Sequence, residues 1–259
     1  MPVPNHFRGR HSLPSKRTGH LLFKSHSMER EIVIAATADL HGYLPKMPRA
    51  DLSVVGGDIF PGGMDRDPAM QGKWFGSYFI PWVEAVPSER IILIAGNHDY
   101  WLEENNEALL REYAPSAGKK LIYLCDSGCE LCGLTVYGTP WAPKPFHNFA
   151  FTLPGEGLRE RFSKIPSEVD LLLTHAVPKG CGKVDVPQWY PESHGCEELY
   201  EALSTRVIRY LVGGHIHAPS ERSVTMDFGS NETYVYNAAC CDQRKNPYFP
   251  PMLIRVAVK

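Results

Sequence analysis

The chain has almost no charge imbalance: 27 Lys and Arg stand against 29 Asp and Glu, a formal net charge of −2 over 259 residues. Without a basic surplus there is no long-range pull toward a phosphate backbone or an anionic bilayer, so large nucleic acids and membranes are not expected partners. No stretch approaches the ~18 apolar residues of a membrane span; the densest, 74–86, is broken by Gly76, Ser77 and Pro81. The seven cysteines are odd in number and irregular in spacing, which excludes the disulfide framework of a small secreted module and predicts reduced thiols in the cytoplasm. Internal repeats and a second-domain linker are also lacking.

The first 28 residues lack Asp and Glu altogether while carrying five Lys or Arg and four His (His6, His11, His20, His26). They show no sustained apolar period and read as an unstructured leader ahead of Met28. Their composition also resembles a mitochondrial transit peptide, although no Arg-bearing amphipathic face extends beyond residues 21–23. The expected domain is therefore 29–259, long enough for a sizeable core, with 43% hydrophobic residues and 22 each of Gly and Pro.

Short apolar runs at 32–36, 52–55, 91–95, 171–173 and 207–212 read as strands buried on both faces. Helices are expected at 69–86, 103–113, 155–163 and 195–204, which gives an α/β protein with a parallel-rich sheet. Segments around 120–138 and 221–257 read as antiparallel strands joined by turns such as Ser230-Asn231.

Compact polar sets follow five of those runs: Asp39-Leu40-His41, Gly56-Gly57-Asp58, Gly96-Asn97-His98-Asp99, Thr174-His175 and Gly213-Gly214-His215-Ile216-His217. Carboxyl ends of strands in α/β folds converge on one crevice, so groups far apart in sequence can meet there. Asp-x-His alone is expected about half a time by chance in this composition, whereas Gly-Asn-His-Asp is expected about 0.001 times. The donors are imidazole nitrogens, carboxylates and one amide, with no thiolate, a mixture suited to divalent Mn, Fe, Zn or Ni. Two such ions roughly 3.5–4 Å apart can share a carboxylate and hold hydroxide at neutral pH, with Asp58 the natural bridge.

The five blocks, in this order, resemble the calcineurin-like metallophosphoesterases. The resemblance implies a four-layer sandwich of two mixed β-sheets flanked by helices, and two divalent cations, Mn foremost. It implies that Asp39, His41, Asp58 and His217 hold one ion, that Asp58, Asn97, His175 and His215 hold the other, and that His98 stays unligated. An imidazole titrating near neutral pH and adjacent to Asp99 suits His98 to the role of general acid, with Asp99 expected to orient it. Residues 137–141, Thr174-His175 with Val177-Pro178, and residues 236–238 are similar to the metallophosphoesterase-domain-containing branch, which implies hydrolysis of phosphodiesters, cyclic nucleotides among them. Asp58 is not followed by the Val-Asp-Arg-Gly of protein phosphatases, which disfavours phosphoproteins, and Ala239 stands where the branch usually has Ser. A phosphomonoesterase on a small metabolite would use the same residues, and a non-catalytic scaffold on this fold would ordinarily have a damaged ligand set. The oligomeric state is not legible.

Other features have structural readings. Cys129 and Cys132 have zinc-knuckle spacing but no second pair, and read as part of a hairpin. Cys240-Cys241 would place one thiol inside and one outside if it lay on a strand. Trp141, Phe146, His147 and Phe149 read as loop packing, with stacking on a base as the alternative. His194 either borders the site or caps the helix after it. Trp74 and Trp82, eight residues apart, share a helical face and read as core.

Overall fold

The computed structural model describes residues 30–105, 120–145, 147–229 and 231–258. The leader, most of the helix expected at 103–113, Phe146 and Ser230 lie outside them. The first sheet has the order β13-β1-β2-β3-β4, formed by Met252–Val258, Arg30–Thr37, Leu52–Gly56, Ile91–Ile94 and Leu121–Tyr123. All its pairings are parallel except that of β13 with β1. The second sheet has the order β11-β12-β10-β9-β6-β5, formed by Ser223–Asp227, Glu232–Asn237, Val207–Gly213, Glu168–Thr174, Leu134–Thr139 and Ser127–Leu131. Its four inner strands are parallel and its two edges antiparallel. A two-residue pair, β7 (Ala142–Pro143) with β8 (Thr152–Leu153), stands apart.

Period-two alternation decides the layering. Ile32, Ile34, Ala36, Val54, Ile92 and Ile94 point to the face of the first sheet that meets Val136, Leu171, Leu173 and Val212 of the second. Their alternates Ala35, Val55, Ile91 and Leu93 point the other way, under a helical layer carrying Phe75, Phe79 and Val83. On the far side of the second sheet, Leu172, Ile208 and Leu211 pack under Leu158, Phe162, Leu199 and Leu203. These belong to helices Gly155–Phe162 and Glu197–Leu203. The result is the four-layer sandwich, with both faces of each sheet covered as parallel strands require.

The helix expected at 69–86 is a Pro68–Trp74 segment and an Ile80–Ala85 segment joined by a π-turn at Phe75–Phe79. Asp67 accepts from Met70 N at its start, and Pro68 occupies the first turn, where its missing N–H costs nothing. Trp74 is buried, while Trp82 is half-buried with Nε1 donating to Pro45 O.

Three expectations need correction. Residues 121–123 form a parallel edge strand beside β3, and β12 pairs in parallel with β10, because alternation marks a strand without marking the direction of its neighbour. Cys240 and Cys241 are both buried, since the chain has left β12 after Asn237 and the alternate-face rule does not apply. The hairpin expected around Cys129 and Cys132 is present: Cys129 lies in the antiparallel β5–β6 pair and Cys132 in its turn, at a left-handed φ of 55°.

Candidate metal centre

The carboxyl ends of β1, β2 and β3 in one sheet and of β9 and β10 in the other face the same crevice. Backbone bonds between their loops lock the ends together: Asp39 N donates to Gly57 O, His41 N to Asp58 O, and Gly214 N to His175 O. A further strap after β12 joins the two sheets, with Ala38 N donating to Ala238 O and Cys240 N to Ala38 O. Asp39, His41, Asp58 and His215 all hold left-handed φ angles between 44° and 69°, unusual for residues with a side chain. Such strain at four chemically matched positions is a mark of a functional site.

One group comprises Asp39, His41, Asp58 and His217, whose candidate ligand atoms all lie within 4.8 Å of one another. His217 Nε2 is 3.2 Å from Asp39 Oδ1 and 3.1 Å from His41 Nε2. A second group gathers on Asn97: its Oδ1 is 2.9 Å from His175 Nε2 and 2.9 Å from His215 Nδ1. Asp58 belongs to both. Its Oδ1 accepts from His98 N at 2.8 Å, while its Oδ2 stands 3.7 Å from His41 Nε2 and 3.5 Å from His175 Nε2.

The donor set fits divalent cations. His175 Nδ1 donates to Gly56 O and His217 Nδ1 to Asp242 O, which fixes each tautomer and turns Nε2 inward, the outer support that metal-ligating imidazoles commonly have. Burial drives His41 down to about 3 and His215 down to about 4, leaving both neutral. Burial also acts against a charged His175, but Asp58 beside it overrides this and lifts it to about 10. Burial alone would raise Asp39 and Asp58, yet His217 brings the first below the carboxylate range and His175 with His98 brings the second well below it. Ionised Asp39 and Asp58 beside the neutral imidazoles of His41 and His215 are the electronic state a cation needs, and a cation bound there would take the place of the proton that Asp58 favours on His175.

Close approach at two glycines makes room for this. A Cβ on Gly96 would collide with Asp58 Oδ1 and the His175 ring, and one on Gly214 with Asp39 Oδ2. Gly96→Ala is therefore expected to lower the metal content of the purified protein while its circular dichroism stays that of the wild type.

His98 borders the crevice without joining either group, and its partner differs from the one expected. Asp99 does not touch its ring: Asp99 Oδ2 accepts from Gly96 N at 2.7 Å and Asp58 N at 2.8 Å, and Oδ1 from Ile59 N at 2.9 Å. Fully buried, Asp99 is pushed up to about 7 by desolvation and the charge of Asp58, against the pull of those N–H donors. It is a clamp on the loops rather than an orienter. His98 Nδ1 pairs instead with Asp65 Oδ1 at 3.0 Å, and Lys245 Nζ lies 3.5 Å from both Asp65 Oδ2 and His98 Nδ1. Burial would lower His98, but Asp58 and Asp65 outweigh it and the net direction is up. Sequence spacing offers no signal for Asp65 or Lys245, which arrive from separate loops.

The crevice is a cavity of about 320 Å³ bordered by both ligand groups and, farther out, by Tyr190, His194 and Gln243. His194 is thus at the mouth, and the helix after it is preceded by Cys196 in the capping position. Of the aromatic group, Phe149 lies edge-on to His98 with ring centroids 5.1 Å apart, whereas Trp141 packs under Arg161 and donates to Asp126.

Residues 30–219 match the family described as calcineurin-like phosphoesterase. The chain is similar to UPF0046 protein C25E10.12 of Caenorhabditis elegans, 30% identical over 231 residues, which are 84% of this chain and 76% of that protein. It is also similar to metallophosphoesterase domain-containing protein 1 of Homo sapiens, 33% identical over 232 residues, 81% of this chain but only 65% of the human protein's length. A solved crystal structure aligns over 89% of this chain and 100% of its own with a TM-score of 0.56; at 13% identity that likeness concerns the fold alone.

Proposed function

The chain belongs to the calcineurin-like phosphoesterase family, and from that premise we propose that it is a phosphodiesterase acting on a small phosphoester with two divalent cations, Mn²⁺ first among the candidates. The observation that carries this reading is Asp58: one oxygen is spent on His98 N–H and the other faces both ligand groups. Asp39, His41, Asp58 and His217 would hold one cation and Asp58, Asn97, His175 and His215 the other, and the pair would supply a lowered water pKa and positive charge against the ester's non-bridging oxygens.

The rest falls to side chains of this chain. His98, with Nδ1 committed to Asp65, has Nε2 left to hand a proton to the departing alkoxide. Asp65 holds the ring's orientation and favours its protonated form, and Lys245 tempers that carboxylate's charge.

Purified protein with Mn²⁺ is expected to hydrolyse bis-p-nitrophenyl phosphate, and turnover no higher than that of His98→Ala would overturn the proposal. A higher rate on p-nitrophenyl phosphate than on the diester would replace it with a phosphomonoesterase.

Asp65→Asn is expected to lower kcat by less than the ~10²–10⁴-fold that a general acid contributes. Because Asp65 raises His98, and the acid must be protonated to act, losing that carboxylate should move the alkaline limb of the kcat profile to lower pH. An unmoved limb would remove Asp65 from the mechanism.

A further inference from the structure

A second cavity, of about 520 Å³, opens beside the metal centre and is walled by Trp189, Tyr190, Asp242, Gln243, Arg244 and Asn246. It adjoins the first, since Tyr190 and Gln243 border both. Trp189 and Tyr190 are 59% and 57% exposed, a large apolar area left in water at the edge of a reaction centre.

Both walls are tied down. Beneath the aromatic wall, Asp185 Oδ2 accepts from Gly180 N and the Ser193 hydroxyl, and Asp185 O accepts from His194 N. Gln188 N donates to Ala218 O and Ser220 N to Val186 O, which pins the same loop to the segment just after His217. On the opposite wall Asp242 Oδ1 accepts from Arg244 N and Asn246 N, both at 2.9 Å, and Gln243 Nε2 donates to His217 O at 2.8 Å. The cavity therefore has a fixed place relative to a metal-ligand side chain.

Its chemistry is two-sided. Trp189 and Tyr190 offer ring faces, which stack on other flat rings with little regard to their identity. Gln243 and Asn246 offer amide donors and acceptors, and Arg244 a planar cation that can stack or bind a ring acceptor.

We infer that this cavity is the subsite for the second ester arm of the substrate, and that the arm it takes carries a flat aromatic ring. The inference rests on the phosphodiesterase reading and narrows it, because a simple monoester has no second arm to place there.

Three diesters sharing p-nitrophenol as leaving group test it: the methyl, phenyl and thymidine-5′ p-nitrophenyl phosphates. The bond broken is the same, so differences in kcat/KM report the retained arm. The wild type should favour the phenyl or thymidine ester over the methyl ester by about tenfold, mostly through KM. Trp189→Ala should bring that ratio close to one with metal content and melting temperature retained, and Trp189→Phe should restore most of it. Preference for the thymidine ester over the phenyl ester identifies a base with polar edges, and the reverse identifies a hydrocarbon ring; either supports the subsite.

Hydrolysis of all three at equal efficiency overturns the subsite and leaves the phosphodiesterase reading standing. Hydrolysis of none overturns that reading, and calorimetry on the Mn²⁺-loaded protein then decides the subsite. Thymidine 5′-monophosphate should bind about tenfold more tightly than methyl phosphate, and Trp189→Ala should erase the difference; equal binding overturns it. A change in elution volume on gel filtration of Trp189→Ala would show that these rings serve contact with another copy of the chain, and would also overturn the inference.

Discussion

Asp58→Ala is expected to yield a folded protein with little bound metal and with diester hydrolysis at background. The reason is topological: its carboxylate is the side chain shared by the two ligand groups, with Oδ2 within 3.7 Å of His41 Nε2 and 3.5 Å of His175 Nε2. Removing it also leaves His98 N without its acceptor and takes away the charge that raises His175. The loss should exceed the ~10²–10⁴-fold that deletion of a general acid costs. His98→Ala is the matched comparison, because its ring belongs to neither group: metal content should stay at the wild-type value while the rate falls within that range. Elemental analysis by mass spectrometry beside the bis-p-nitrophenyl phosphate assay reads both. Equal metal loss in the two variants would mean that His98 is a ligand, and full metal retention in Asp58→Ala would dismantle the shared-carboxylate arrangement.

Asp99→Ala should show the largest effect on stability of any single change at the crevice. Three buried backbone N–H groups, on Gly96, Asp58 and Ile59, lose their acceptor together. Each such donor left unsatisfied costs about 1–3 kcal/mol, so roughly 3 kcal/mol or more is expected, offset in part by relief from burying a carboxyl group beside Asp58. The midpoint of urea denaturation should fall with little change in slope. Because the clamp spans the loops after β2 and β3, metal content should fall too, unlike in Asp65→Asn, which acts on His98 alone. An unfolding free energy within ±0.5 kcal/mol of wild type would reduce Asp99 to a replaceable loop residue.

The contrast between Asp65 and Asp99 shows where sequence reading stops. The Asn97-His98-Asp99 block invites the inference that neighbours cooperate, yet consecutive residues on this turn point in different directions. Asp99 turns back into the loops while His98 reaches out to a carboxylate 33 positions earlier. Nothing in the spacing of Asp65 marks it, since its value comes from a loop path that no local pattern encodes. Lys245 is similar: a turn at 242–246, with a left-handed φ of 63° at the lysine itself, brings it to His98 from near the chain's end. No sequence pattern marks Trp189 and Tyr190; the backbone ties of their loop to the segment after His217 set them beside the crevice.

The amino-acid sequence by itself marked the five polar blocks, the strand ends that carry them and the alternation that covers both sheets, because apolar periodicity and polar strand-end blocks are local in the chain; the choice of seven candidate ligands among those residues came with the family resemblance. The tertiary structure alone decided which carboxylate serves His98, that Asp99 clamps backbone, that β4 and β12 run parallel to their neighbours, and that an aromatic wall stands beside the metal centre. Those choices depend on distances between residues tens to hundreds of positions apart, and only the packing of one sheet against the other fixes them.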